Sequence, residues 1–168
     1  MTAANPPIGG RTRVTGIIGH PVAHTLSPRM HNAEFARLGL DWVYVAWPVE
    51  PARLEAAVRG LVALGVAGFN VTVPHKQAVM PLLDWLSPEA RMIGAVNTVR
   101  VRDGVMEGFN TDAPGWRDDV ERDVALAGRS VFVIGAGGAA RAVVAGALLA
   151  GAARVIIGAR RMAAAGEL

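Results

Sequence analysis

A glycine-rich turn between an apolar run and an alanine-rich segment constrains the fold of this chain more than any other feature. Gly135, Gly137 and Ala140 match the pattern G-x-G-x-x-G/A directly after the apolar run 130–134, and a small-residue helix is predicted over 138–150. The glycines permit a tight turn and a close approach to a pyrophosphate, and free N–H groups at the start of the helix can hold phosphates. We therefore predict a nucleotide site, with a merely tight structural turn as the alternative, at Gly135, Ala136, Gly137, Gly138, Ala139 and Ala140.

The rest of the chain alternates β-rich apolar runs with amphipathic helical segments. Strands are predicted at 14–19, 42–49, 66–73, 97–102, 105–109, 130–134 and 154–158. Helices are predicted at 27–38, 51–64, 75–85 and 111–126, with a short helix capped by Ser87-Pro88. Such alternation favours βαβ units. We predict an α/β fold in which a mainly parallel-sheet substrate domain, residues 1–127, precedes an incomplete Rossmann-like dinucleotide-binding domain, residues 128–168.

Composition excludes several classes of function. Hydrophobic residues make up 52% of the 168 residues and there is no cysteine, so a globular core is expected and thiolate metal sites are excluded. The four histidines fit no zinc spacing, and we predict no metal site. No apolar stretch reaches membrane-spanning length, and residues 1–10 do not resemble a signal peptide. The basic residues are scattered along the sequence, so we expect no binding to nucleic acid. We also expect a cytoplasmic protein that does not bind membranes.

The end of the second strand of the glycine-turn unit indicates which dinucleotide is bound. An NAD site usually places an acidic residue there for the ribose 2′-hydroxyl, whereas an arginine can receive the 2′-phosphate of NADP. This chain has Arg160 and Arg161 at that position and no acidic residue. The prediction is therefore NADP, with solvated loop arginines as the alternative.

Three polar clusters follow predicted strands in the first domain: 24–27, 70–76, and Asn97-Thr98 together with 110–112. Ligands of open α/β sheets collect at the carboxyl ends of strands, so the clusters could line one crevice. Structural alternatives stay open, since Ser27 could cap a helix, Asn97 and Asn110 could form turns, and Asp112 could cap a helix or form an ion pair.

Lys76 is the only lysine among 17 basic residues. Arginine cannot lose its proton in a protein, whereas lysine can do so when its pKa is lowered. A charged pair of Lys76 with Asp112 could tune such an acid/base group. The alternative is that one lysine is present on a helix face by chance and has no chemical role.

Five motifs, taken in order, resemble the shikimate dehydrogenase family. They are the segments 19–32 (GHPVAHTLSPRMHN), 68–76 (GFNVTVPHK), 93–98 (IGAVNT), 108–115 (GFNTDAPG) and 135–141 (GAGGAAR). The resemblance implies NADPH-dependent, reversible reduction of 3-dehydroshikimate to shikimate, a step toward chorismate and aromatic amino acids. It also implies a small-molecule substrate and allows for a homodimer.

The resemblance also implies roles for individual residues. Lys76 would be the acid/base group, Asp112 would pair with it and hold a substrate hydroxyl, and Thr25 and Ser27 would bind the substrate carboxylate. Further substrate oxygens would be held by Thr72 and Asn97, and Arg160 would bind the 2′-phosphate.

This sequence departs from the family in three ways. Thr25 replaces a serine and adds a methyl group beside the carboxylate site, which keeps quinate or an amino analogue open as substrates. Ala159-Arg160-Arg161 replaces N-R-T, so the phosphate contacts could differ. Family members continue for roughly another hundred residues, consistent with a complete dinucleotide domain. We therefore expect this chain to be an N-terminal portion with little or no activity alone, and a non-catalytic ligand-binding form is the second hypothesis.

Overall fold

Apolar, β-branched residues form the central strand of the first part of the fold. In the computed structural model, which describes residues 7–160 and 162–166, strand β1 (Arg13–Gly19) lies between β2 (Trp42–Pro48) and β3 (Gly68–Val71), and both pair with it in parallel. Its residue Ile18 is fully buried, as expected for a strand covered on both faces. The parallel pairing brings the carboxyl ends of these strands to one edge of the sheet.

Three further strands complete a six-stranded sheet in the order β2-β1-β3-β5-β6-β4. They are β4 (Trp85–Leu86), β5 (Thr98–Arg102), which runs antiparallel to β3, and β6 (Val105–Phe109). The turn predicted at Asp103-Gly104 is confirmed, because both residues have positive φ, 53° and 80°. That conformation is typical of a two-residue hairpin turn and is easiest for Gly, Asn and Asp.

Two helices cover this sheet. Helix α1 (Ser27–Arg37) packs Phe35 against the buried cluster of Ile17, Val22 and Tyr44. Helix α2 (Leu54–Ala63), which follows a 3-10 turn at Pro51–Arg53, buries three residues at helical spacing, namely Leu54, Val58 and Leu61. This is the apolar stripe that the sequence predicts.

The single helix predicted after Pro74, as far as about Trp85, is wrong. A four-residue helix α3 (His75–Ala78) is followed by a 3-10 turn, Met80–Leu82, and then by β4. Pro81 explains the interruption, because proline lacks the N–H that a continuing helix needs and its ring clashes with the preceding turn. The polypeptide then pairs with β6, where Asp84 accepts a 2.7 Å hydrogen bond from the N–H of Met106.

The chain divides into two compact units. The first contains residues 1–85 and 98–108, and the second contains 86–97 and 109–168. These limits differ from the predicted division into 1–127 and 128–168, which describes functional domains and stays a prediction.

The second unit contains the glycine turn. Strand β7 (Ser130–Ile134) and strand β8 (Arg154–Gly158) form a parallel pair, as predicted from the sequence. Its helices are α4 (Pro88–Ile93), α5 (Asp112–Val120), α6 (Gly138–Leu149) and α7 (Met162–Gly166). Ser87 caps α4 as predicted, because its hydroxyl accepts a 3.1 Å hydrogen bond from the Ala90 N–H. Helix α5 is shorter than predicted, since the chain leaves the helix at Glu121.

Candidate functional site

A cavity of about 510 Å³ lies at the carboxyl ends of β1 and β3 in the first unit. Three of the predicted substrate-binding residues, Thr25, Ser27 and Thr72, are among its lining residues. The parallel pairing of the two strands explains this, because the loops that follow them start at the same sheet edge. Adjacent hydroxyl groups in a concave site can bind an oxygen-rich, anionic small molecule.

The Ser27 hydroxyl faces its neighbours in this cavity rather than capping helix α1. The helix begins at Ser27 itself, Leu26 occupies the cap position, and no side chain caps the helix. The predicted capping role is therefore wrong. Instead, the Thr25 hydroxyl donates a 3.1 Å hydrogen bond to Ser27 Oγ, and Thr25 Oγ1 accepts from the Ser27 N–H at 3.2 Å.

The segment that carries Lys76 is fixed by a buried histidine. His75 is 1% exposed, and its Nε2 donates a 2.7 Å hydrogen bond to the carbonyl of Val49. The N–H of His75 also bonds the carbonyl of Thr72 at 2.9 Å. Lys76 therefore sits half-buried on a short helix that is tied both to β3 and to the end of β2. From the sequence, His75 was only one member of the polar cluster 70–76, with no role of its own. Its place directly before the sole lysine was the available signal.

In the second unit, Asn97 and Asp112 are joined directly. Asn97 Nδ2 donates to Asp112 Oδ1 at 2.7 Å, and Asn97 Oδ1 accepts from the Thr111 N–H at 2.9 Å. Asn110 supports the same loop, because its Oδ1 accepts from the Asp112 N–H at 3.0 Å. Asp112 is thus held at the first turn of α5. Lys76 and Asp112 belong to different units, and the predicted pairing between them stays a prediction.

The glycine turn lines a cavity of about 340 Å³ together with Gly158, Ala159 and Arg160. Gly135 has a φ of 119° and Gly137 is extended, and a side chain on either residue would meet no atom within 4 Å. Ala140 is buried against Val133 and Val144, so the third small residue does pack the helix on the strand.

A dinucleotide phosphate fits this arrangement. The amides of Gly138, Ala139 and Ala140 lie in the first turn of α6, where N–H groups lack intrahelical partners. Arg160 supplies a cation at the edge of the same cavity, and none of the described residues that line this cavity is acidic. Arg161, predicted to bind the cofactor as well, lies outside the described residues.

Tyr44 is a polar residue beside the cavity that sequence analysis missed, since it packs with the cavity-lining residues Ile17 and Val22. Its phenol is buried and donates a 2.6 Å hydrogen bond to Asn70 Oδ1. Burial raises the pKa of Tyr44. The available signal was a single tyrosine, the only one in the chain, within a strand of otherwise apolar side chains.

Burial also lowers the pKa of His31, which stacks on the Tyr44 ring at a centroid distance of 4.2 Å. The unfolded chain therefore binds a proton at His31 before the folded chain does as the pH falls through 6.5, the ordinary pKa. We expect the free energy of unfolding to decrease as the pH falls from 7 to 5. His31→Phe, which keeps a ring on Tyr44, should flatten this dependence in urea melts. If the free energy of unfolding depends on pH equally in the wild type and in His31→Phe, His31 is not the group responsible.

Comparison with known proteins identifies the family. Residues 17–99 match the family described as shikimate dehydrogenase substrate binding domain. The shikimate dehydrogenase (NADP(+)) of Geobacter sp. (strain M21) is 57% identical over 157 residues, which cover 92% of this chain and 54% of that protein. The chain belongs to the shikimate dehydrogenase family. It spans about half the length of the curated relatives that it matches.

Solved structures agree with the predicted family and fold. The crystal structure of shikimate dehydrogenase from Aquifex aeolicus superposes with a TM-score of 0.92 at 40% identity, covering 95% of this chain and 60% of that one. A ligand-free 5-ketofructose reductase of Gluconobacter sp. strain CHM43 superposes with a TM-score of 0.83 at 39% identity, covering 95% and 57%. The α/β fold predicted from the sequence is confirmed.

Other kinds of site are not found among the described residues. Within residues 7–160 and 162–166, no group of three or more His, Cys, Asp or Glu side chains is arranged to hold a metal ion. None of the helices in these same residues is long and apolar enough to cross a membrane.

Proposed function

We propose that the protein containing this chain is an NADP-dependent shikimate dehydrogenase, which reversibly reduces 3-dehydroshikimate to shikimate toward chorismate and aromatic amino acids. One observation carries the proposal. The hydroxyls of Thr25, Ser27 and Thr72 line a single cavity within the 17–99 segment that matches the family's substrate-binding domain. Such a cavity suits a small carboxylated polyol.

Lys76 is the proposed proton donor and acceptor. When bound, NADPH supplies the hydride that a ketone needs at its carbon, and the carbonyl oxygen takes up a proton. The Lys76 ammonium gives that proton in reduction, and the neutral amine removes it from the substrate hydroxyl in oxidation. Asp112, held by Asn97 at 2.7 Å, is the proposed partner of Lys76 and the proposed ligand of a substrate hydroxyl.

The remaining polar residues hold the substrate. Thr25 and Ser27 donate hydroxyl hydrogens to its carboxylate, which accepts charge-assisted hydrogen bonds. Thr72 and Asn97 contact further substrate oxygens. These contacts orient the ring so that the reacting carbonyl lies at Lys76.

The cofactor is held by the start of α6. Amides in the turn formed by Gly135, Ala136, Gly137, Gly138, Ala139 and Ala140 receive the pyrophosphate, and the guanidinium of Arg160 binds the 2′-phosphate of NADP. Arg161 contributes a second positive charge. The cavity shared by the turn and Arg160 supports this assignment.

Removing the charge of Arg160 tests the choice between NADP and NAD. We expect Arg160→Ala to raise the KM for NADP at least about tenfold, the range of a lost charge-assisted hydrogen bond, and to leave the KM for NAD unchanged. Steady-state kinetics with the two cofactors measure both values.

Arg154→Ala is the matched control for that variant. Arg154 is an exposed arginine at the opposite end of the same strand, β8, away from the cavity. Its loss should leave both KM values unchanged. If Arg160→Ala raises the KM for NADP and the KM for NAD equally, the proposed contact between Arg160 and the 2′-phosphate is contradicted.

Three other substrates should be compared directly with shikimate. The methyl group of Thr25 narrows the carboxylate site, which keeps quinate and an amino analogue of shikimate open. The similarity to a 5-ketofructose reductase at 39% identity adds 5-ketofructose. Ratios of kcat/KM among these substrates test the proposal, and we expect shikimate to be preferred.

Activity of the 168-residue chain by itself is a separate part of the proposal. We expect it to bind shikimate with little or no turnover, and calorimetric titration with shikimate and NADP tests this. A cytoplasmic location and a possible homodimer complete the proposal.

A further inference from the structure

Asn32 is the last residue of the segment 19–32, and the proposed mechanism gives it no role. It lies in the second turn of α1, and its side-chain amide makes three hydrogen bonds. Nδ2 donates to the carbonyl of Pro28 at 2.7 Å and to the carbonyl of Tyr44 at 2.8 Å, and Oδ1 accepts from the Tyr44 N–H at 2.9 Å. Both amide hydrogens are therefore in use, which fixes the orientation of the group.

The two bonds to Tyr44 lie at the edge of the sheet. Strand β2 is at one end of the six-stranded order and pairs with β1. The outward N–H and carbonyl groups of an edge strand lack partners within the sheet. At Tyr44 the side-chain amide of Asn32 pairs with both of these groups, as the backbone of a further strand would do. It thereby joins α1 to β2 at a fixed point.

The third bond reaches the turn that carries the proposed carboxylate ligands. Pro28 directly follows Ser27 at the start of α1, and the Thr25 hydroxyl is bonded to Ser27 Oγ at 3.1 Å. One planar amide group thus holds the Pro28 carbonyl and the edge of β2 together. The position of Ser27 relative to the sheet is set through that group.

Apolar burial does little to fix this end of the helix. No residue of α1 is buried, and no side chain caps its first turn. The ring contacts between α1 and β2 come from His31 and Phe35, which are further along the helix. Most helices in proteins are held by the packing of an apolar face. Here the first turn is held by the polar link from Asn32.

We propose that Asn32 is a positioning residue for the substrate carboxylate, which holds Thr25 and Ser27 in place by linking the first turn of α1 to the edge of β2. The inference rests on the proposed function, because it takes the carboxylate of shikimate as the ligand of Thr25 and Ser27. Asn32 is not among the described residues that line the cavity, so it acts through Ser27.

Asn32→Leu tests this role, since it keeps the approximate size of the side chain and removes all three hydrogen bonds. We expect it to weaken shikimate binding about tenfold, because the two hydroxyls no longer meet the carboxylate in one fixed geometry. The KM for shikimate should rise by the same factor with kcat unchanged, as expected for a contact made equally in the ground state and the transition state. Calorimetric titration and steady-state kinetics of the protein from its complete reading frame measure these values.

The methyl ester of shikimate separates positioning from a general loss of structure. The ester has no carboxylate charge, so its binding depends less on the alignment of the Thr25 and Ser27 hydroxyls. We expect Asn32→Leu to change the affinity for the ester by less than about twofold. Equal losses for shikimate and its ester would overturn the positioning role.

The wild-type protein gives a second test that does not depend on the variant. If the Asn32 link supports carboxylate binding, shikimate must stabilise the link in return, because such coupling is reciprocal. The Tyr44 N–H, which bonds Asn32 Oδ1, reports the link through its hydrogen exchange. Saturating shikimate should slow this exchange more than that of the Val58 amide in α2. Equal slowing of the two amides would overturn the proposal.

Val58→Ala is the matched control for lost stability. Val58 is fully buried in α2 and is not among the described residues that line the cavity. Its truncation leaves a void and lowers the free energy of unfolding, yet the affinities for shikimate and for the ester should stay within about twofold of the wild type. If the wild-type protein binds no shikimate, the proposed function fails and the positioning role fails with it. If it binds shikimate and Asn32→Leu binds it equally well, only the positioning role fails.

Discussion

Replacement of Lys76 by alanine should lower kcat for shikimate oxidation about a thousandfold, which is within the range that general acid–base catalysis contributes. Lys76 is the only lysine of the chain, so no other lysine amine can replace it. It lies on helix α3, which the hydrogen bond of His75 holds in place. Lys76→Arg should be almost equally inactive, since arginine keeps the charge but does not release its proton. Absorbance of NADPH in the protein expressed from its complete reading frame measures both.

Gln77→Ala is the control for the lysine variants. Gln77 is the exposed neighbour of Lys76 on the same short helix, and its loss should leave kcat within about twofold of the wild-type value. Calorimetry separates binding from chemistry, because both lysine variants should still bind NADP normally. Turnover in Lys76→Ala within tenfold of the wild type would remove Lys76 from the proposed mechanism.

Replacement of Gly16 by alanine should destabilise the first unit by about 3 kcal/mol, at the upper end of the usual cost of overpacking a core. Gly16 is buried in the central strand, and an added Cβ would lie 2.3 Å from the carbonyl oxygen of Val45 and 2.5 Å from the ring of Trp47. The carbonyl belongs to the paired strand, so it cannot move without disturbing the parallel ladder between β1 and β2. Urea unfolding measures the loss.

Gly60→Ala provides a control with the opposite sign. Gly60 lies inside helix α2, and a Cβ there would meet nothing within 4 Å. Alanine in a helix is favoured over glycine by about 0.5–1 kcal/mol, so this variant should be more stable than the wild type. Equal stability of Gly16→Ala and the wild type would contradict the close approach of β1 and β2.

Features governed by local chemistry were predictable from the sequence. The turn at Asp103-Gly104, the cap at Ser87 and the strand–turn–helix around Gly135 each depend on a few neighbouring residues, and the structure confirms all three. Candidate site residues were also predictable as a group, because polar residues after parallel strands collect at one edge. Thr25, Ser27 and Thr72 accordingly line one cavity.

Features that depend on distant residues were not predictable in this way. Ser27 fits every local rule for a helix cap, yet its hydroxyl hydrogen-bonds Thr25 instead. The side chain of Tyr44 reaches Asn70, which is 26 residues away in the chain, and His75 reaches Val49 across the same separation. Such contacts follow from the pairing of β1, β2 and β3, which no pattern within one segment specifies.

We propose that this chain carries the substrate site and the NADP phosphate site of a shikimate dehydrogenase. Its most direct test is the initial rate of NADPH formation by the protein from the complete reading frame, with shikimate and NADP, and with quinate or NAD in their place. We predict saturable NADPH formation that is fastest with shikimate and NADP. Absence of NADPH formation with shikimate, in a folded protein that turns over another ketone or polyol, would contradict the claim.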